Sequence, residues 1–268
     1  MSTTSRHDAW SAGDAYERYM GRWSRLLAVR FLDWLAAPAG AAWLDLGCGT
    51  GALTQTILAR ASPRSIVAID QSADFVAHAR AATSDEEVRM RFDVADARNL
   101  PLPDASVDVA ASALVLNFVP DRVAALRELA RVVRPGGLLS FYVWDYPGGG
   151  MGFMNAFWKA AIALDPNAAE LGEGRRFPFC TPEGLSALCA EAGLPPATVA
   201  PIEIETRFSS FEDLWLPFTL GAGPAPGYCV SLPEDKRAAL KERLRRDVGG
   251  DGPVSFTARA WAVKATMA

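Results

Sequence analysis

Residues 43–53 read WLDLGCGTGAL. A short apolar run carrying one aspartate gives way to Gly47, Gly49 and Gly51, at every second position. Glycine adopts positive φ without steric cost and lets a bound group lie close against the main chain. A strand that enters such a turn and leaves it as a helix presents unpaired N–H groups at the helix start, where negative charge is favoured. The spacing is GxGxG, not the GxGxxG that cradles a dinucleotide pyrophosphate. An ordinary strand-to-helix turn is the plain alternative, and three alternating glycines in this context weigh against it.

The surrounding pattern gives that turn its place. Short apolar runs predict strands at 42–47, 65–70, 88–93, 106–114 and 137–145, and helical periodicity predicts helices at 51–60, 72–81 and 121–134. RPGG at 134–137 is expected to stop the last helix. Alternation of this kind predicts an α/β fold, a parallel sheet with helices on both faces. Ligands bind such sheets at the carboxyl ends of the strands, where strand order reverses. A helix is expected over 9–37 ahead of the sheet. Beyond Asp145 the rhythm breaks into a glycine-rich turn, an aromatic helix, a polar loop and the helix TPEGLSALCAEAGL, with Thr181 as N-cap and Pro182 at its first position. Then come a strand, ATVAPIEIETRF, a helical segment through Trp215, a proline–glycine loop, a charged helix at 233–246 and a closing strand, VSFTARAWAVKATM.

Bulk properties narrow the partners. Of 268 residues half are hydrophobic, enough for a packed core. The net charge of −4 argues against a nucleic-acid backbone as main partner. Six basic residues between Lys236 and Arg246 alternate with acids and read as a solvated helix face. The first ten residues hold no apolar run of signal-peptide type, and no stretch is long enough to span a bilayer. Four cysteines without CxxC spacing read as reduced, buried thiols of a cytoplasmic protein, and with two histidines no metal site is expected.

The acids downstream of the glycines suit a nucleoside. Asp70 closes the strand IVAID and is placed to accept both hydroxyls of a ribose. Asp96 comes after the third strand, where a carboxylate can accept from an adenine amino group while the N–H of Ala97 donates to a ring nitrogen.

LDLGCGTG, AIDQS, DARNLPLPDASVDV, LNFVPD and LRELARVVRPGGLL, in that order, resemble the class I S-adenosylmethionine-dependent methyltransferases, most closely the bacterial small-molecule type. YERYMGRWS and YVWDYPG resemble flanks of one uncharacterised branch. The resemblance covers residues 40–145. It implies a three-layer, Rossmann-like, seven-stranded sheet of order 3-2-1-4-5-7-6 with the last strand antiparallel. It also implies one domain over 1–268, with 9–37 as a helical cap and 146–197 as an insertion on the substrate side. Carried onto this chain, Asp45, Gly47, Cys48 and Gly49 hold the methionine moiety of S-adenosylmethionine; Asp70 binds ribose, flanked by Gln71 and Ser72; Asp96 and Ala97 read adenine. Main chain at Ala113 and Leu114 borders the sulfur or amino group. Tyr19 and Arg22 close the site, with Arg22 a candidate partner for the cofactor carboxylate. Cys48 is a packing residue.

The implied activity is methyl transfer by in-line displacement to a small, apolar or aromatic acceptor. A base is needed only for an acceptor that is protonated at working pH. Asn117 stands where many relatives carry histidine, which removes one proton acceptor. Asp145 and Tyr146 are the other weak catalytic candidates, Asp145 reading equally well as a turn residue. Tyr146, Phe153, Phe157, Trp158 and Trp215 are either pocket walls or core, and Glu173, Arg175 and Arg176 either a lid or a solvated loop. A non-enzymatic S-adenosylmethionine-binding regulator, or a nicotinamide-dependent oxidoreductase, are the alternatives. Oligomeric state is not legible.

Overall fold

The computed structural model describes residues 17–83, 89–221 and 223–268. A π-helical turn at Glu17–Gly21 leads into α1 (Arg22–Leu35); residues 9–16 of the expected 9–37 helix lie outside the described ones. Next along the chain are β1 (Ala42–Leu46), α2 (Ala52–Arg60), β2 (Ser65–Asp70), α3 (Ala73–Ala81), β3 (Met90–Val94), β4 (Val107–Ala113), α4 (Arg122–Val132) and β5 (Val133–Trp144). The seven strands order as 3-2-1-4-5-7-6. β1 runs parallel to β2 and β4, β2 to β3 and β4 to β5, while β7 (Val254–Thr266) is antiparallel to β5.

Local chemistry explains most boundaries. Ser72 accepts from Phe75 N at 3.3 Å and caps α3; Asp121 caps α4 through Ala124 N at 2.9 Å. Thr181 caps α6 (Pro182–Glu191) by accepting from Gly184 N at 3.1 Å, and β6 (Thr198–Phe208) comes next. β1 is buried at every position, as a central parallel strand must be.

RPGG does not separate helix from strand. α4 ends at Val132, β5 begins at Val133, and the four residues form an irregularity inside β5, where register jumps from Val107↔Val133 to Val109↔Leu138. Their anchor is Asp108, a buried carboxylate paired with Arg134 and with Arg64 (3.2 Å) and accepting from Ala42 N (2.7 Å). A Cβ on Gly137 would stand 2.7 Å from Asp108 O and 2.9 Å from Arg134 O. Those atoms are main chain and cannot step aside. Gly137→Ala is therefore expected to cost about 2 kcal/mol, read as a lower Tm with cofactor binding retained; an unchanged Tm would show that this bulge yields.

By contact density residues 17–23, Asp145–Pro178 and Glu203–Arg259 form one compact unit, and Ser24–Trp144, Phe179–Ile202 and Ala260–Ala268 another. The first holds α5 (Gly152–Leu164), α7 (Phe211–Trp215), α8 (Pro224–Ser231) and α9 (Glu234–Asp247). α8 occupies the expected proline–glycine loop: Pro224 sits in its first turn, and burial of 224–229 overrides the low helix propensity. α9 is the expected charged helix, with Leu240 and Leu244 buried; Arg243 pairs with Asp247 at 2.9 Å and Lys241 with Glu212 at 2.7 Å. Among the described residues no helix is long and apolar enough to cross a membrane, and the four cysteines are free and buried.

Candidate functional site

The glycine turn is held by the end of β2. Gly47 N and Cys48 N both donate to Ile69 O, at 2.7 and 3.0 Å, and Gly51 N closes on Cys48 O at 2.8 Å. Gly47, Gly49 and Gly51 all take positive φ (73°, 53° and 91°). Beside Gly49 the space a Cβ would fill is open, with nothing within 4 Å. Beside Gly47 it is taken by Val115, just past the end of β4. Cys48 packs with Ala68, Val76, Ala79 and Phe92. Burial, with Asp45 and Asp70 close by, pushes its thiol far above the ordinary range.

Asp45 is fully buried at the end of β1. Its Oδ2 accepts from Thr54 Oγ1 at 2.6 Å, one turn into α2, while Oδ1 is buried with no partner among the described residues. Burial pushes its pKa up to about 7, and the charge of Asp70 adds to the rise. A buried, half-satisfied carboxylate is what a ligand ammonium would complete. Its cost to the protein alone has a definite sign. Unfolded, an aspartate ionises near 3.9; folded, this one does so near 7. The stabilising contribution of the neutral form is whole below pH 4 and gone above 7. Asp45→Asn, neutral throughout, is expected to raise Tm by roughly 5 °C at pH 8 and to leave it unchanged at pH 4, while weakening the cofactor. Scanning calorimetry at the two pH values checks this.

Asp70 ends β2. Its Oδ2 accepts from Gly49 N at 3.0 Å and its Oδ1 from Ser72 N at 2.9 Å. Burial raises its pKa, and the N–H groups of Ser72, Gly49 and Gln71 oppose that rise. Asp70 thus shapes the glycine turn, a role the sequence did not disclose. Ala95 N donates to Asp70 O at 3.1 Å and draws the end of β3 alongside. Beyond it Asp96 is exposed and clasped by Arg98, Nη2 to Oδ2 at 2.6 Å and Nε to Oδ1 at 3.0 Å, which lowers its pKa to about 2. Ala97 lies half-buried between the two.

At the end of β4, Ala113 is half-buried and Leu114 takes φ +61°, its N–H donating to Tyr142 O at 2.8 Å. A bulky residue held in left-handed geometry is costly, and such strain collects at functional sites. Asn117 is buried in the short 3-10 turn Leu116–Phe118.

The other unit carries the remaining candidates. Arg22 Nη1 donates to Asp213 at 3.0 Å, and its guanidinium lies 4.2 Å from the Trp23 ring and 4.7 Å from Phe208. Tyr19 is buried, with its hydroxyl unpartnered among the described residues. Asp145 takes the turn role: Arg259 grips it at 2.6 and 2.8 Å, and it accepts from Gly148 N at 2.9 Å. Tyr146 rests on Phe177, ring centres 5.5 Å apart. Phe153, Phe157, Trp158 and Trp215 are buried and pack with Phe218, Tyr228 and one another, so they build core. Glu173 is neither lid nor solvated loop. It is 3% exposed, in the helical turn Glu173–Arg176, and accepts from Trp158 Nε1 at 2.7 Å.

The sheet order and the antiparallel last strand are those of the Rossmann-like methyltransferase fold. Residues 44–141 match the methyltransferase-domain family model. The chain is 35% identical over 130 residues to a malonyl-[acyl-carrier protein] O-methyltransferase of Pectobacterium atrosepticum, covering 48% of this chain and 49% of that protein. It is 40% identical over 116 residues to the 27-O-demethylrifamycin SV methyltransferase of Amycolatopsis mediterranei, covering 42% of each. The match thus spans half or less of the length of both relatives. In fold it is similar to the YcgJ protein of Bacillus subtilis, with TM-score 0.57 and 17% identity over 92% of this chain and 98% of that one.

Proposed function

We propose that this protein transfers the methyl group of S-adenosylmethionine to a small-molecule acceptor. The observation that carries the reading is the partnerless, buried Oδ1 of Asp45 on the same turn as the open face of Gly49. In this reading Asp45 holds the cofactor's ammonium, the open face of Gly49 lies against its amino-acid tail, and Asp70 holds its ribose through the lone pairs left by Gly49 and Ser72. Arg98 orients Asp96 toward adenine, and Ala97 N–H supplies the second contact. When bound, the sulfonium supplies a methyl group already attached to a good leaving group. The chain's own work is to fix geometry and exclude water. Ile69 O and Asp70 bind three of the turn's N–H groups and so fix its shape.

Calorimetric titration with S-adenosylhomocysteine and with NAD tests the cofactor. Binding of the first and not of the second is expected; the reverse would overturn the assignment in favour of an oxidoreductase. Release of S-adenosylhomocysteine from S-adenosylmethionine in the presence of small phenols, amines and carboxylic acids tests turnover and separates an enzyme from a regulator.

A further inference from the structure

We propose that Asn117 and Arg122 bind a carboxylate of the methyl acceptor, so that the reaction forms a methyl ester. The inference rests on the methyltransferase reading above and deepens it. Asn117 is 2% exposed, and its side-chain Nδ2 is buried with no hydrogen-bond partner among the described residues. Arg122, first residue of α4, donates from Nη2 to the main-chain oxygen of Asn117 at 3.1 Å, which brings its guanidinium against that residue. Its Nε is also buried and partnerless, and no carboxylate among the described residues pairs with it. The adjacent acid, Asp121, is engaged as the cap of α4 at Ala124 N. Phe179 covers the guanidinium at 4.3 Å, and burial lowers the pKa of this arginine.

Leaving a buried donor unsatisfied is costly, and more so on a charged group. Here two such donors lie on neighbouring groups, one of them cationic. Both want an acceptor, and the cation wants an anion. The side-on edge of a guanidinium, Nε with Nη2, matches the two oxygens of a carboxylate. The position is apt as well. Asn117 lies two residues beyond Val115, whose side chain packs on Gly47. A carboxylate is ionised at neutral pH and attacks without a base. Its oxygen forms the bond to the methyl carbon, the carbon–sulfur bond breaks, and that electron pair stays on sulfur as the neutral thioether. No proton moves.

The test uses the full chain with S-adenosylmethionine and two matched probe sets: phenylacetate, phenylacetamide and 2-phenylethanol, then octanoate, octanamide and octanol. Methyl esters of the acids are expected by mass spectrometry, with amides and alcohols untouched. Arg122→Gln is expected to raise the acid's KM at least 30-fold with kcat within threefold. Asn117→Asp, of equal size but repelling an anion, is expected to raise it at least 100-fold. Both variants should keep wild-type affinity for S-adenosylhomocysteine. Methylation of alcohols in place of acids, or an unchanged KM in Arg122→Gln, overturns the proposal. So does failure of both acids to bind the S-adenosylhomocysteine-loaded protein by calorimetry. Failure of S-adenosylhomocysteine itself to bind would instead overturn the methyltransferase reading.

Discussion

Gly47→Ala is expected to abolish cofactor binding, lowering affinity for S-adenosylhomocysteine at least 1,000-fold, and to destabilise the fold by about 3 kcal/mol. Two costs combine. At φ +73° an L-residue pays roughly 1–2 kcal/mol for left-handed geometry. The new Cβ would also stand 2.5 Å from both methyl carbons of Val115 and 2.7 Å from its Cβ. The last is fixed to the main chain, so relief requires the backbone after β4 to move, at an overpacking cost of about 1–3 kcal/mol. That backbone includes Leu114, whose own φ is +61°. Two other glycines separate the causes. Gly40 has φ +74° and open space around its missing side chain, so Gly40→Ala should cost about 1 kcal/mol and leave affinity intact. Gly49 also has open space, but on the proposed ligand's face, so Gly49→Ala should fold well and bind poorly. Thermal melts and calorimetric titration of the three variants decide the matter. Wild-type affinity in Gly47→Ala would remove the turn from the site.

The parallel core of this fold was legible because its signals are local. β2 was expected at 65–70 and is found there, since an apolar run ends in Asp70 and Ser72 caps the next helix. The errors share one physical origin, contacts between residues distant in sequence. Val133 joins β5 because it pairs with Val107, which no turn rule anticipates in RPGG. Asp145 reads equally as a turn residue and sits in that turn, but its partner Arg259, 114 residues on, gives no local signal. Glu173 sits among charged neighbours and reads as loop, until the Trp158 indole is seen to hold it. In the site, the glycines and acids were legible as residues but not as a network. That Asp70 binds the N–H of Gly49 depends on β1 and β2 lying side by side, and that Thr54 secures Asp45 depends on how α2 leaves the turn. Arg122 gave no signal at all, because an arginine at a helix start is ordinary until its partners are counted.

Asp70→Ala carries the other large effect, a loss of at least 100-fold in affinity for S-adenosylhomocysteine. Two charge-assisted hydrogen bonds to ribose hydroxyls are worth about 1.5–3 kcal/mol each. The substitution also frees Gly49 N and Ser72 N, and so loosens the turn that receives the amino-acid tail. The two contributions separate in a cycle with the 2′-deoxyribose analogue of the same ligand. Wild type should prefer the ribose form at least tenfold, and Asp70→Ala should lose that preference entirely, which a loosened turn alone would not do. Asp70→Asn keeps an acceptor but drops the charge, and is expected to fall between the two. The sign of the pKa shift gives a further reading. Burial raises Asp70, so ligand hydroxyls that donate to its charged form must pull the pKa back down, and binding should release protons in mildly acidic buffer. A folded Asp70→Ala protein that binds within threefold of wild type, with its ribose preference intact, would leave this carboxylate a builder of the turn and nothing more.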